Sequence, residues 1–218
     1  MGSDSSSGAS GAKGANGQAA TAIFGMLAFG IVSMLFGLSQ LPGPHGTPFD
    51  TAVLFPPLIW VTGGTVALSM LTLGGVALFL VGLVMMFKGH DAYWTVAFTG
   101  YGAFWIIWST VSASASAHAA TGYGTAGVAF VWLLFTLTFL ISSFKHGWMT
   151  FLFYLALAIS FLLLVVEYWQ WGGGPTTTIS GYELGAIGGF WIFTGFIAWY
   201  AATARLTEMN WGRKLPLT

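Results

Sequence analysis

The chain contains no cysteine. Disulfide bonds, thiol nucleophiles and Cys-ligated metals are thereby excluded. Charge is almost as scarce. Six basic and six acidic residues make up 6% of the 218 positions, against roughly 25% in soluble globular domains. That shortfall excludes a soluble fold, and because the two signs cancel there is no basic field to attract nucleic acid. Histidine is limited to His45, His90, His118 and His146, each at a break between apolar stretches. Such scatter is expected of interfacial polar residues, not of metal ligands. No acid–base pair, nucleophile constellation or ligand cluster falls inside an apolar stretch, so an enzyme is not expected, and neither is a metal or a cofactor. The same stretches hold no Lys, Arg, Asp or Glu, which argues against an ion pump or a carboxylate proton relay at mid-membrane depth.

What remains is apolar: 56% hydrophobic residues and a mean hydropathy of +0.80. An integral membrane protein is expected. A spanning helix needs roughly 20 apolar residues, and spans are expected near 22–41, 61–87, 92–117, 123–144, 147–166 and 184–204. The breaks carry turn chemistry, as in "LPGPHGTP" (41–48), "KGHD" (88–91), "HAATGYG" (118–124), "KHG" (145–147) and "WGGGPTTT" (171–178). The uncharged run 51–87 is too long for one simple span. Pro56 and Pro57 break regular helix early in it, so 50–60 reads as a lead-in segment. Six spans place Lys13, Lys88, Lys145, Arg205, Arg213 and Lys214 on one side of the membrane, whereas seven would strand Lys13 opposite the rest. The positive-inside rule therefore favours six spans with both termini cytoplasmic. The Gly/Ser/Ala-rich residues 1–20 are expected to form a disordered cytoplasmic tail, 21–206 the transmembrane domain and 207–218 a short cytoplasmic tail.

There are 31 glycines, many inside spans, where small residues let helices approach closely. A dense helical bundle follows. In the third span, "VAFTGYGAFWIIW" (96–108), the 3.6-residue period places Phe98, Tyr101, Gly102 and Trp105 on one face, with Thr99 and Gly100 beside it. That face offers one hydroxyl among aromatic rings. It reads either as an interhelical tyrosine bond in packed aromatics or as a wall along a solute path. Glu167 and Glu183 fall at the outer ends of the fifth and sixth spans, either as solvated helix-end carboxylates or as parts of a mouth.

The stretch "AFTGYGAFW" (97–105) resembles the third-helix motif of the acetate uptake transporters, also called succinate–acetate permeases. "GGVALFLVGLVMMFKG" (74–89), "FGMLAFG" (24–30), "IAWYAATARL" (197–206) and "WGRKLPL" (211–217) are similar to other family segments, in the same order. The resemblance implies a six-helix subunit of the cytoplasmic membrane, assembled as a homohexamer with one pore per subunit. It implies a pore constriction at Phe29, Tyr101 and Leu157. Phe98, Thr99 and Trp105 on the third-span face, Glu167 and Glu183 at the outer ends, and Gly25, kept from the family's helix-one lead-in, are the lining or mouth candidates. The resemblance implies a small acetate-like solute as partner, with succinate as an extension. Three departures stand out. The family's Asn-Pro-x-Pro-Leu-Gly entrance is replaced by "ATAIFG" (20–25), its helix-two Gln and Glu by Leu78 and Met85, and the first outer connection is longer around 42–60.

With no cation inside the spans, a carboxylate must meet hydroxyls, indole N–H groups, backbone amides or water, and the neutral acid crosses more readily than its anion. A channel or proton-linked transporter for small monocarboxylates is the reading expected. Two alternatives stay open: a non-transporting structural or accessory subunit, and a channel for another small neutral solute such as an amide.

Overall fold

The computed structural model describes residues 5–41, 65–89, 91–116, 122–171 and 181–216. The lead-in segment with Pro56 and Pro57, as well as His45, His90 and His118, lies outside the described residues. The described residues form six helices and no strand: α1 (Ser5–Gln40), α2 (Thr65–Phe87), α3 (Ala92–Ser116), α4 (Gly122–Ser143), α5 (Trp148–Trp171) and α6 (Gly181–Trp211). Among the residues whose side chains are described, four helical stretches are long and apolar enough to cross a membrane, Gly17–Gln40, Tyr123–Ser143, Trp148–Gln170 and Gly185–Trp211, and the described part of α2, Thr72–Phe87, is apolar as well. Helix α3 stands outside that group because its threonines, glycines, tyrosines and tryptophans dilute its apolar residues.

The N-terminal stretch corrects one expectation. Helix α1 begins at Ser5, so most of 1–20 is helical backbone, not a disordered tail. The stretch holds several alanines, and lengthening an existing helix needs no new nucleus. Helices α5 and α6 likewise run to Trp171 and Trp211, beyond the apolar limits drawn at 166 and 204.

Each helix packs against its chain neighbours, and α6 returns to α1, so the six close into a ring. The closest pairings are α1 with α6, α2 with α3 and α4 with α5. Glycine explains the first two. A Cβ on Gly30 would lie 2.8 Å from the Gly195 carbonyl, and one on Gly37 would lie 2.6 Å from that of Gly188. The seven-residue spacing on both helices keeps the contact on one antiparallel seam. Gly75 and Gly82 meet Gly102 and Thr99 of α3 in the same way.

Alternation around the ring gathers Lys88, Lys145, Arg205, Arg213 and Lys214 at one end, where α2, α4 and α6 finish. Gly89 and Gly147, with φ of 64° and 96°, make the turns there. Beyond Gly212 the chain turns back, the Tyr200 hydroxyl donates to the Pro216 carbonyl, and Lys214 approaches Glu208 at 3.7 Å across an exposed surface.

Candidate functional site

Helices α1, α3 and α5 all start at the lysine-bearing end, so their residues rise through the bundle in step. At mid-height Phe29 meets Tyr101 edge-to-face at 5.4 Å and Phe153 at 5.2 Å. Such pairs are favourable beyond their buried area. Tyr154 lies 6.4 Å from Tyr101 and stacks on Phe139 at 5.4 Å. Leu157 sits one turn beyond Phe153 on the same face of α5 and is fully buried. The three residues implied as a constriction thus come from three parallel helices and share one buried core.

The Tyr101 ring is 2% exposed. Its hydroxyl donates to Thr136 Oγ1 of α4 at 3.0 Å, and Thr136 donates onward to the Trp132 carbonyl at 2.7 Å. The hydroxyl expected on this face is therefore held in an interhelical chain, in a layer packed shut.

Neighbouring candidates divide. Phe98 stacks on Trp94 at 5.6 Å and closes over Gly25, where a Cβ would come within 2.6 Å of its ring. Gly25 and Phe98 thus lie together on the lysine side of the Phe29 layer. Trp105 lies on the far side, in a cluster with Phe36 (5.5 Å), Phe104 (4.9 Å) and Trp191 (5.3 Å). Thr99 faces elsewhere: it donates to the Thr95 carbonyl at 2.8 Å and packs against Gly82 of α2. Gly100 and Gly102 also serve the bundle. A Cβ on Gly100 would strike Phe135, and one on Gly102 would strike the α2 backbone at Phe79. Their smallness makes room for neighbouring helices. Glu167, near the end remote from the lysines, is 7% exposed. It is buried in α5, which continues past it, and is no solvated helix-end carboxylate. Glu183 is in the first turn of α6, and its side chain lies outside the described residues. Leu78 and Met85 are fully buried core residues of α2.

Trp191 was not reached by sequence reasoning. It lies in an α6 stretch whose apolar residues point both to lipid and inwards, and only contact with Phe36, Trp105 and Phe161 singles it out. At the lysine-bearing end a cavity of about 280 Å³ opens among Met26, Trp94, His146, Arg205, Glu208 and Lys214. Met26 lies one turn below Phe29, so this cavity forms a vestibule beneath the closed layer. His146 stacks on Tyr93 at 4.0 Å.

A closed ring of six apolar helices around a central aromatic layer defines a multi-pass membrane protein. The sequence profile of the GPR1/FUN34/yaaH family matches residues 11–211. The chain belongs to this family, the acetate transporter family that the third-helix motif resembles. It is 29% identical over 209 residues to an uncharacterized protein of Methanothermobacter thermautotrophicus strain Delta H, covering 90% of this chain and 89% of that protein. Among solved structures it is similar to the bacterial acetate channel SatP, with a TM-score of 0.69 and 20% identity, covering 91% of this chain and 98% of that one. At that identity the likeness establishes the fold.

Proposed function

We propose that this protein is a channel or proton-linked transporter that carries acetate and similar small monocarboxylates across the cytoplasmic membrane. The observation that carries the reading is the meeting of Phe29, Tyr101 and Phe153 in one buried layer, with buried Leu157 one turn of α5 beyond Phe153 and a vestibule below. A ring of apolar side chains gates by excluding water. With no charged side chain at the layer, the neutral acid is the form that crosses it most easily, and its proton crosses with it. Family membership and the fold shared with an acetate channel support the same solute class. The departures "ATAIFG", Leu78 and Met85 remove polar groups from the entrance and from α2. The chain is accordingly proposed to favour the least polar form of its solute.

The direct experiment is uptake of radiolabelled acetate into proteoliposomes carrying the purified protein. Uptake should exceed that of protein-free liposomes and be competed by propionate. Equality with protein-free liposomes sinks the reading. It would favour the second one, a non-transporting subunit, whose support is the fully packed layer with its Tyr101–Thr136 bond.

The proposed assembly is a homohexamer with both termini cytoplasmic. Orientation is supported by the single basic end. Assembly is supported by the family and by an outward-facing apolar groove on α6, lined by Gly185, Ala186, Gly189, Phe190 and Phe193. A Cβ on Gly185 or Gly189 would meet nothing within 4 Å, which leaves room for a helix of a second copy. The cysteine-free chain allows one series of single-cysteine variants to test both points. In intact cells, cysteines at Gly46, His118 and Thr177 should react with an impermeant maleimide and one at Ser7 should not. A cysteine at Gly189 should cross-link subunits. Labelling at Ser7 refutes the orientation, and a strictly monomeric product for Gly189→Cys refutes the interface.

A further inference from the structure

Just beyond the Phe29 layer, on the side away from the lysines, three buried polar atoms have no hydrogen-bond partner: Trp105 Nε1, Trp191 Nε1 and Ser33 Oγ. All three residues are 0% exposed. The two indoles lie 5.3 Å apart and both touch Phe36, which follows Ser33 by one turn of α1. Phe29 lies one turn below Ser33 and 6.5 Å from Trp105. The adjacent hydroxyls are otherwise arranged. Ser160 and Thr194 lie 3.1 Å apart and within 2.9 and 2.8 Å of the Ala156 and Phe190 carbonyls, so their two hydroxyl protons have acceptors among these three contacts. Buried polar groups left without protein partners are rare and costly in folded proteins, so three grouped around Phe36 call for an explanation.

We propose that Trp105, Trp191 and Ser33 form a binding subsite for the carboxyl group of the solute immediately beyond the constriction. The assignment rests on the transport reading above and names the residues that would hold the solute. An indole nitrogen donates and never accepts. Two such donors therefore select a ligand with acceptor oxygens and refuse a cation. A hydroxyl both donates and accepts, so Ser33 can take the O–H of a protonated acid while its carbonyl oxygen receives the indole N–H groups. The set matches a neutral carboxylic acid and, by the same chemistry, a primary amide. It supplies donors where the spans supply no cation. The competing account is that the N–H groups rest on neighbouring ring faces, a weaker interaction, and take no part in binding.

The test uses the full chain with ¹⁵N-indole-labelled tryptophan in lipid nanodiscs, titrated with acetate, acetamide and methylammonium. Two indole N–H signals should move downfield and saturate with acetate and with acetamide, and stay fixed with methylammonium. They should be the signals missing from Trp105→Phe and Trp191→Phe. Acetate affinity should fall about fivefold for each N–H removed. Ser33→Ala, the smallest change, serves if a Trp→Phe chain fails to assemble, and the same fivefold loss is expected. Indole signals that ignore acetate, or an unchanged affinity in Ser33→Ala, overturn the subsite in favour of ring-face contacts. The two readings fail separately: acetate uptake with unmoved indoles defeats the subsite alone, and moved indoles without uptake defeat transport alone.

Discussion

Phe29→Ala is expected to relax selectivity more than any other single change in the molecule. The ring sits at the centre of the closed layer, 3% exposed and in edge contact with Tyr101 and Phe153. Removing it leaves a void bordered by rigid aromatics that cannot collapse into it. In proteoliposomes the preference for acetate over butyrate should fall by about tenfold, the scale on which a pocket discriminates by methylene groups. Leu157→Ala should act in the same direction. Both changes remove core volume, and Phe→Ala typically costs about 3–5 kcal/mol in a packed interior. Uptake must therefore be normalised to assembled protein. Tyr101→Phe is the comparison variant. It keeps the ring and loses only the bond to Thr136, a change of about 0.5–1.5 kcal/mol, so assembly should persist. A fall in acetate flux would mean that the hydroxyl turns from Thr136 to the solute during transit. If selectivity and flux per oligomer match wild type in all three variants, the layer is packing and the path runs elsewhere.

Gly102→Ala is expected to be the most damaging conservative change, although it adds a single methyl group. The added Cβ would lie 2.4 Å from the Phe79 nitrogen, 2.7 Å from its Cα and 2.8 Å from the Gly75 carbonyl. All three are backbone atoms of α2, so no side chain can swing aside and the two helices must separate. Overpacking of this kind costs about 3 kcal/mol. Because Gly102 follows Tyr101 directly, the shift also displaces the central layer. Gly127→Ala in α4 is the matched control: its Cβ would meet nothing within 4 Å, and alanine favours helix by about 0.5–1 kcal/mol over glycine. Thermal stability of the two purified variants in one detergent checks the contrast. Comparable melting of Gly102→Ala and wild type would refute the close crossing.

Several features were legible along the chain because they are sums over local residues. Scarce charge and long apolar runs determined a membrane protein, six turn-punctuated stretches determined six helices, and the placement of Lys and Arg determined which ends lie together. The nine residues "AFTGYGAFW" marked the family. Side-chain facing was not legible. In a soluble helix the buried stripe is apolar and the rest polar, but here lipid and core are equally apolar. Trp191 therefore reads no differently from Trp199 or Phe196, which lie outside. Only the packed bundle decided that Thr99, Gly100 and Gly102 serve helix contacts, that Glu167 is buried, and that the Tyr101 hydroxyl is held by Thr136. Only the bundle set two unpaired indoles 5.3 Å apart against Phe36, one turn along α1 from Ser33. Those facts depend on which helix stands across from which, and that pairing follows from close backbone approach at Gly30, Gly37, Gly188 and Gly195 from opposite ends of the chain.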